Sequence, residues 1–196
     1  MTGLELLNSC FSWVCGQNPD HTWSLGGILL PLCQRCTGMY AGAAVAALLH
    51  ISIRPRPSSP WLELHGAFLL IMVPFGFHWV PQGSVLRAVT GVLFGFGVVA
   101  FLWLVPGRLL AGYPPSRKSR LNPKNRQFLY ALALLFASGA VPWMGSLGGR
   151  VAAVVLVALT TTGAAALLAL VLLNVGLGVI GFIRAGIGAA RARKAL

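Results

Sequence analysis

Acidic residues are nearly missing from this chain: of 196 residues only Glu5, Asp20 and Glu63 carry a carboxylate, against 15 Lys and Arg. That scarcity excludes paired-carboxylate catalysis. It also leaves a proton-driven transporter without the intramembrane acid it normally uses, so that transport would fall to His or Cys. Charged residues of all kinds make up 9%, too few to cover a soluble domain. No hydrolase, kinase or nucleotide-binding pattern is present. The first 26 residues hold neither Lys, Arg nor a hydrophobic core, which argues against a cleavable signal peptide.

What fills the chain instead is apolar: 57% hydrophobic residues and a mean hydropathy of +0.79. Such a composition belongs to a multi-pass protein of the cell membrane, an all-α helical bundle forming one integral-membrane domain in contact with the lipid bilayer. About five windows are long enough to span, at 28–53, 61–80, 85–105, 128–147 and 151–174 or longer. Turn signals bound them, among them Arg54-Pro55-Arg56-Pro57, Pro81-Gln82-Gly83 and Pro106-Gly107. The last window either tilts or breaks near Asn174–Gly178 into a span and an interfacial helix.

A net charge of +12 would suit nucleic acid, but the basic residues fall in the connections between apolar runs, where they set topology, so nucleic acid is not an expected partner. The connection after the first span, the 108–126 loop and the basic tail at 184–196 hold 12 of the 15 positive charges and share one side of a five-span bundle. By the positive-inside rule that side is cytoplasmic, with the amino terminus outside and the carboxy terminus inside. Anionic lipid headgroups are the natural neighbours of the 108–126 loop. Whether the chain forms an oligomer stays open.

Polar chemistry concentrates at the outer end of the first span. The extracytoplasmic segment 1–27 carries Cys15 and His21, and Cys33-Gln34-Arg35-Cys36 follows at the head of the span. A spacing of three places Cys33 and Cys36 on one helix face, one to two turns inside. At the same depth fall Arg35, Tyr40, His78, Arg87 and Thr90, which together describe an outward-facing pocket. Three GxxxG pairs, Gly38 with Gly42, Gly91 with Gly95 and Gly145 with Gly149, mark expected helix contacts, and the third span looks central. At the opposite end His50, Glu63 and His65 reach equal depth, either to relay protons or simply as solvated interface residues.

The run Cys33-Gln34-Arg35-Cys36-Thr37-Gly38-Met39-Tyr40, preceded by Cys15-Gly16-Gln17, resembles the C-x-R-C-T-G-x-Y and C-H-Q segments of DUF2085, a family of small uncharacterised multi-pass membrane proteins of bacteria and archaea. Arg87, Thr90, Gly91 and Gly95 match a further segment of that family. The chain departs from it at Gly16, where the family has His, at His21-Thr22-Trp23, where it has R-S-F, and at Pro74–His78, which lacks an expected acid. The resemblance implies the membrane class and marks the residues, and it carries no activity, so whether the protein is an enzyme stays open.

Three readings of the cysteines follow. Thiolate and imidazole are ligands for zinc or another transition metal, and Cys15, His21, Cys33 and Cys36 would complete a Cys₃His set in an accessory protein, with Arg35 offsetting charge. A CxxC at a helix amino terminus also suits thiol and disulfide exchange with a quinone, Cys10 and Cys15 forming a second pair. Cysteines also pack as inert hydrophobes, Cys10 most readily. A transporter of ions or small molecules is the remaining alternative.

Overall fold

The computed structural model describes residues 3–55, 57–77, 79–111 and 122–194. It is a helical bundle with a small β-hairpin at one end. An amphipathic helix α1 (Gly3–Phe11) and a short 3₁₀ turn (Pro19–His21) lead into the hairpin of β1 (Thr22–Leu25) and β2 (Ile28–Cys33). There follow α2 (Gln34–Ser52), α3 (Ser59–Leu70), α4 (Met72–Gly76), α5 (Ser84–Leu102), α6 (Leu104–Ala111), α7 (Pro123–Leu147) and α8 (Arg150–Lys194).

The expected first span therefore starts six residues late, because 28–33 is strand and not helix. Gly26 and Gly27 both take positive φ, 58° and 81°, the turn that a tight hairpin needs. Thr22 then pairs with Cys33 and Leu25 with Ile28. Pro31 would break a helix here and is tolerated in a two-stranded edge. The hairpin is fastened to the α7–α8 junction, Gly26 N–H donating to the Gly148 carbonyl at 2.7 Å and Trp23 lying on Gly145. This replaces the expected helix contact at Gly145 and Gly149: α7 ends at Leu147, and Gly149 faces open space.

Prolines account for two further differences. Pro74 has no N–H for the Leu70 carbonyl, and the window 61–80 is accordingly split into α3 and α4 at Ile71. Pro106 likewise cannot bond the Leu102 carbonyl, and α5 stops at Leu102. The side-chain amide of Asn174 donates to that carbonyl at 2.8 Å and to Leu170 at 2.8 Å, so Asn174 supports one continuous helix, the first of the two alternatives for this window. Among the described residues three helices are long and apolar enough to cross a membrane, Ser84–Leu102, Lys124–Leu147 and Arg150–Arg184, in place of the five expected windows. The last, at 35 residues, would measure ~52 Å, well beyond a ~30 Å hydrocarbon core unless tilted or projecting.

Glycine contacts give the directions. A side chain at Gly38 would strike Ala88, one at Gly42 would strike Val92, and Gly91 and Gly95 meet the α2 backbone at Arg35 and Met39 in return. The two GxxxG pairs thus interlock, with α2 and α5 parallel and in backbone contact. Gly163 does the same for α8 against Tyr40 and Ala44, a contact the GxxxG pattern did not flag. Gly97 of α5 abuts His65 and Leu69 of α3, and the α7 residues Tyr130 and Gly145 sit at the His65 and Trp23 ends. So α2, α5 and α8 run away from the hairpin while α3–α4 and α7 return. Ala41, Ala43, Ala46, Val92 and Phe96 are wholly buried at the centre.

Candidate metal centre

Three cysteines from two segments meet at the hairpin end. The chain turns after α1, the Cys15 N–H bonding the Phe11 carbonyl at 2.9 Å, and this folds Cys15 against the end of β2. Gln17 then holds the loop: at φ 46° its side-chain amide donates to Asn8 at 2.9 Å and Pro31 at 2.8 Å. Gln17 entered the sequence reading only as the last residue of the Cys15-Gly16-Gln17 segment, with no role assigned to it. Cys33 is the N-cap residue of α2, not a residue one turn inside a span, and Cys36 lies in the first helical turn.

The Sγ atoms of Cys15, Cys33 and Cys36 lie within 4.8 Å of one another, with Cys15 buried and the other two half-buried. Among the described residues this is the group able to hold a metal ion. Cys15 Sγ also accepts the Cys33 N–H at 3.4 Å. Thiol donation from Cys33 and Cys36 holds the Cys15 thiol well below its ordinary pKa. The positive end of the α2 dipole favours negative charge on the cluster as a whole. All four cysteines are free thiols, and Cys10 is exposed on α1, outside the cluster, so it is not placed as a partner for Cys15.

A cavity of about 140 Å³ adjoins the cluster, lined by Gly16, Gln17, Asn18, His21, Cys33, Arg35 and Arg87. His21 shares this cavity with Cys33 but falls outside the 4.8 Å group. Arg35 donates to the Phe75 carbonyl at 2.7 Å, where Gln82 also donates at 2.6 Å, so these two satisfy a carbonyl at the C-terminal end of α4. The Nε atoms of Arg35 and Arg87 are buried without a partner among the described residues. Thr90 turns its hydroxyl back onto Leu86 and Arg87 of its own helix and is buried between helices, away from the cavity. Tyr40 packs beneath the thiols in an apolar cluster with Phe11, Cys15 and Leu32. His78 lies outside the described residues, as does most of the 108–126 loop.

At the far end His50 and His65 do converge, both against Tyr130, while exposed Glu63 instead takes a bond from Ser59.

A family model described as "Predicted membrane protein (DUF2085)" matches residues 15–101, from the first thiol of the cluster almost to the end of α5, so the three clustered thiols and every residue lining the adjoining cavity fall within it. A protein of Methanothermobacter thermautotrophicus described as "Uncharacterized protein" is 33% identical over 94 residues, covering 45% of this chain and 83% of its own length. No solved structure matches the chain.

Proposed function

The chain belongs to the DUF2085 family of predicted membrane proteins, and on that footing we propose that Cys15, Cys33 and Cys36 bind a transition metal at the outer face of the helical bundle. The observation that carries the reading is three free thiols within 4.8 Å, drawn from two segments that Gln17 clamps together. Thiolates around one tetrahedral zinc stand ~3.8 Å apart, so the cluster needs little movement to close on an ion. His21, across the shared cavity, supplies the fourth ligand. Three thiolates and a divalent ion carry net negative charge, which Arg35 and Arg87 offset. The role is accessory, a bound metal holding the amino-terminal segment onto α2.

Orientation follows the positive charges. Arg54, Arg108 and Arg126 gather at one cavity at the end of the bundle opposite the thiols, which supports placing that end in the cytoplasm. Elemental analysis of detergent-purified protein under non-chelating conditions is expected to find about one equivalent of zinc or a related metal. Less than about a tenth of an equivalent of any transition metal overturns the proposal.

A second reading, thiol exchange with a quinone, draws on Cys33 and Cys36 at a helix amino terminus. Two thiols would lose two electrons and two protons, forming a disulfide and reducing quinone to quinol. Thiol trapping in intact cells tests it: Cys33 and Cys36 whose alkylation ignores the quinone redox state exclude it.

A further inference from the structure

The end of the bundle opposite the thiols holds a larger cavity, of about 280 Å³, that the metal site does not use. Its inner wall is His50, Trp61 and Trp103, and its mouth carries Arg54, Arg108 and Arg126. Two buried histidines sit in this aromatic cluster, and they differ sharply. His65 has both nitrogens engaged, Nδ1 with the Trp61 carbonyl at 2.7 Å and Nε2 with the Tyr130 hydroxyl at 3.0 Å. Since a carbonyl only accepts, Nδ1 carries the proton and Nε2 accepts from Tyr130. His50, 2% exposed, has neither nitrogen bonded, and the Trp61 indole N–H is also buried without a partner among the described residues. A polar group buried in this way is costly unless something hydrogen-bonds it.

Arg54 adds an independent sign. It follows α2 at φ 47°, a left-handed conformation at a helix end where glycine is the ordinary choice. An arginine kept there despite the steric cost sets a guanidinium at the cavity mouth. No carboxylate lines the cavity among the described residues, and Arg54 and Arg108 give its mouth a positive charge.

We infer that this cavity binds an organic phosphate with an apolar body. The phosphate lies between Arg54, Arg108 and Arg126, a polar oxygen takes the Trp61 N–H and a His50 nitrogen, and the apolar part rests against the two indoles. Arginine suits phosphate through paired N–H donors, and indole faces suit an apolar or aromatic body. Either a membrane phospholipid or a soluble organophosphate presents this chemistry.

The test uses full-length protein delipidated in neutral detergent, titrated with short-chain phosphatidylglycerol, with phosphatidylcholine and with phenyl phosphate. Phosphatidylglycerol or phenyl phosphate is expected to bind at least about tenfold more tightly than phosphatidylcholine. Phenyl phosphate as the tighter of the two assigns a soluble ligand, and phosphatidylglycerol as the tighter assigns a lipid. Arg54→Gly suits the left-handed backbone and keeps the fold, and it should weaken binding about tenfold with an unchanged unfolding temperature. Arg108→Gln should do the same. Equal affinity for all three probes, or unchanged affinity in both variants, overturns the inference.

Discussion

Replacing Cys15 with serine isolates the metal reading from the fold. In the native site Cys15 Sγ accepts the Cys33 N–H at 3.4 Å, and a serine hydroxyl can accept the same bond, so the loop between α1 and β2 should keep its path. Gln17, which clamps that loop to Asn8 and Pro31, is untouched. What is lost is one of three soft ligands. Structural zinc sites are worth ~10–16 kcal/mol over four ligands, or ~2.5–4 kcal/mol each, so affinity should fall by about two to three orders of magnitude. Competition with a chromogenic zinc chelator reads this directly on purified protein. Cys10→Ser is the matched control, since Cys10 is exposed on α1 and outside the cluster, and it should leave affinity within about twofold. His21→Ala should fall between the two, as the loss of an imidazole from the far side of the cavity. Zinc held by Cys15→Ser as tightly as by wild type, or lost equally from Cys10→Ser, would refute the reasoning.

Gly91→Ala sets a methyl group against the Arg35 carbonyl, with the Met39 amide 2.9 Å away, and two backbones have to part; a loss of about 1–3 kcal/mol in detergent unfolding is expected. Gly139→Ala, in open space on α7, should be neutral or stabilising by up to ~1 kcal/mol, and equal losses at both positions would show that the crossing is not close-packed. For orientation, in a Cys10→Ser background, Ser84→Cys is expected to react with a membrane-impermeant maleimide in intact cells and Asn125→Cys to resist. The reverse pattern would place the thiols in a reducing compartment, where a metal site survives and a stable disulfide does not.

The membrane class, the GxxxG crossing of Gly38 and Gly42 with Gly91 and Gly95, and the thiol cluster were legible because each rests on local spacing or bulk composition. The errors have a common origin in apolar runs that carry no period. Residues 28–33 read as the start of a helix because a short apolar stretch does not distinguish strand from helix, and only the Gly26-Gly27 turn and Pro31 signalled otherwise. The window 61–80 hid a break because hydropathy ignores the missing N–H of Pro74. Asn174 looked like a place to end a helix, and its partner is the Leu102 carbonyl 72 residues earlier, freed by Pro106. No local pattern reports such a pairing. The same holds for Thr90 and Tyr40, where depth along a span was legible and the direction in which each side chain faced was not.

Both cavities trace to one crossing. Gly38 lies against Ala88 and Gly42 against Val92, a constant offset of 50 residues between parallel helices. Extended one turn toward the hairpin, that register brings Arg35 level with the start of α5, where Arg87 shares its cavity. Extended two turns the other way, it brings His50 level with Ala100, and those two line the second cavity together. The glycines allow backbone contact, which fixes the register against slippage as larger side chains would not. A bulky residue at Gly91 or Gly95 therefore disturbs two sites ~21 Å apart along α2, between Cys36 and His50, through a single rigid element.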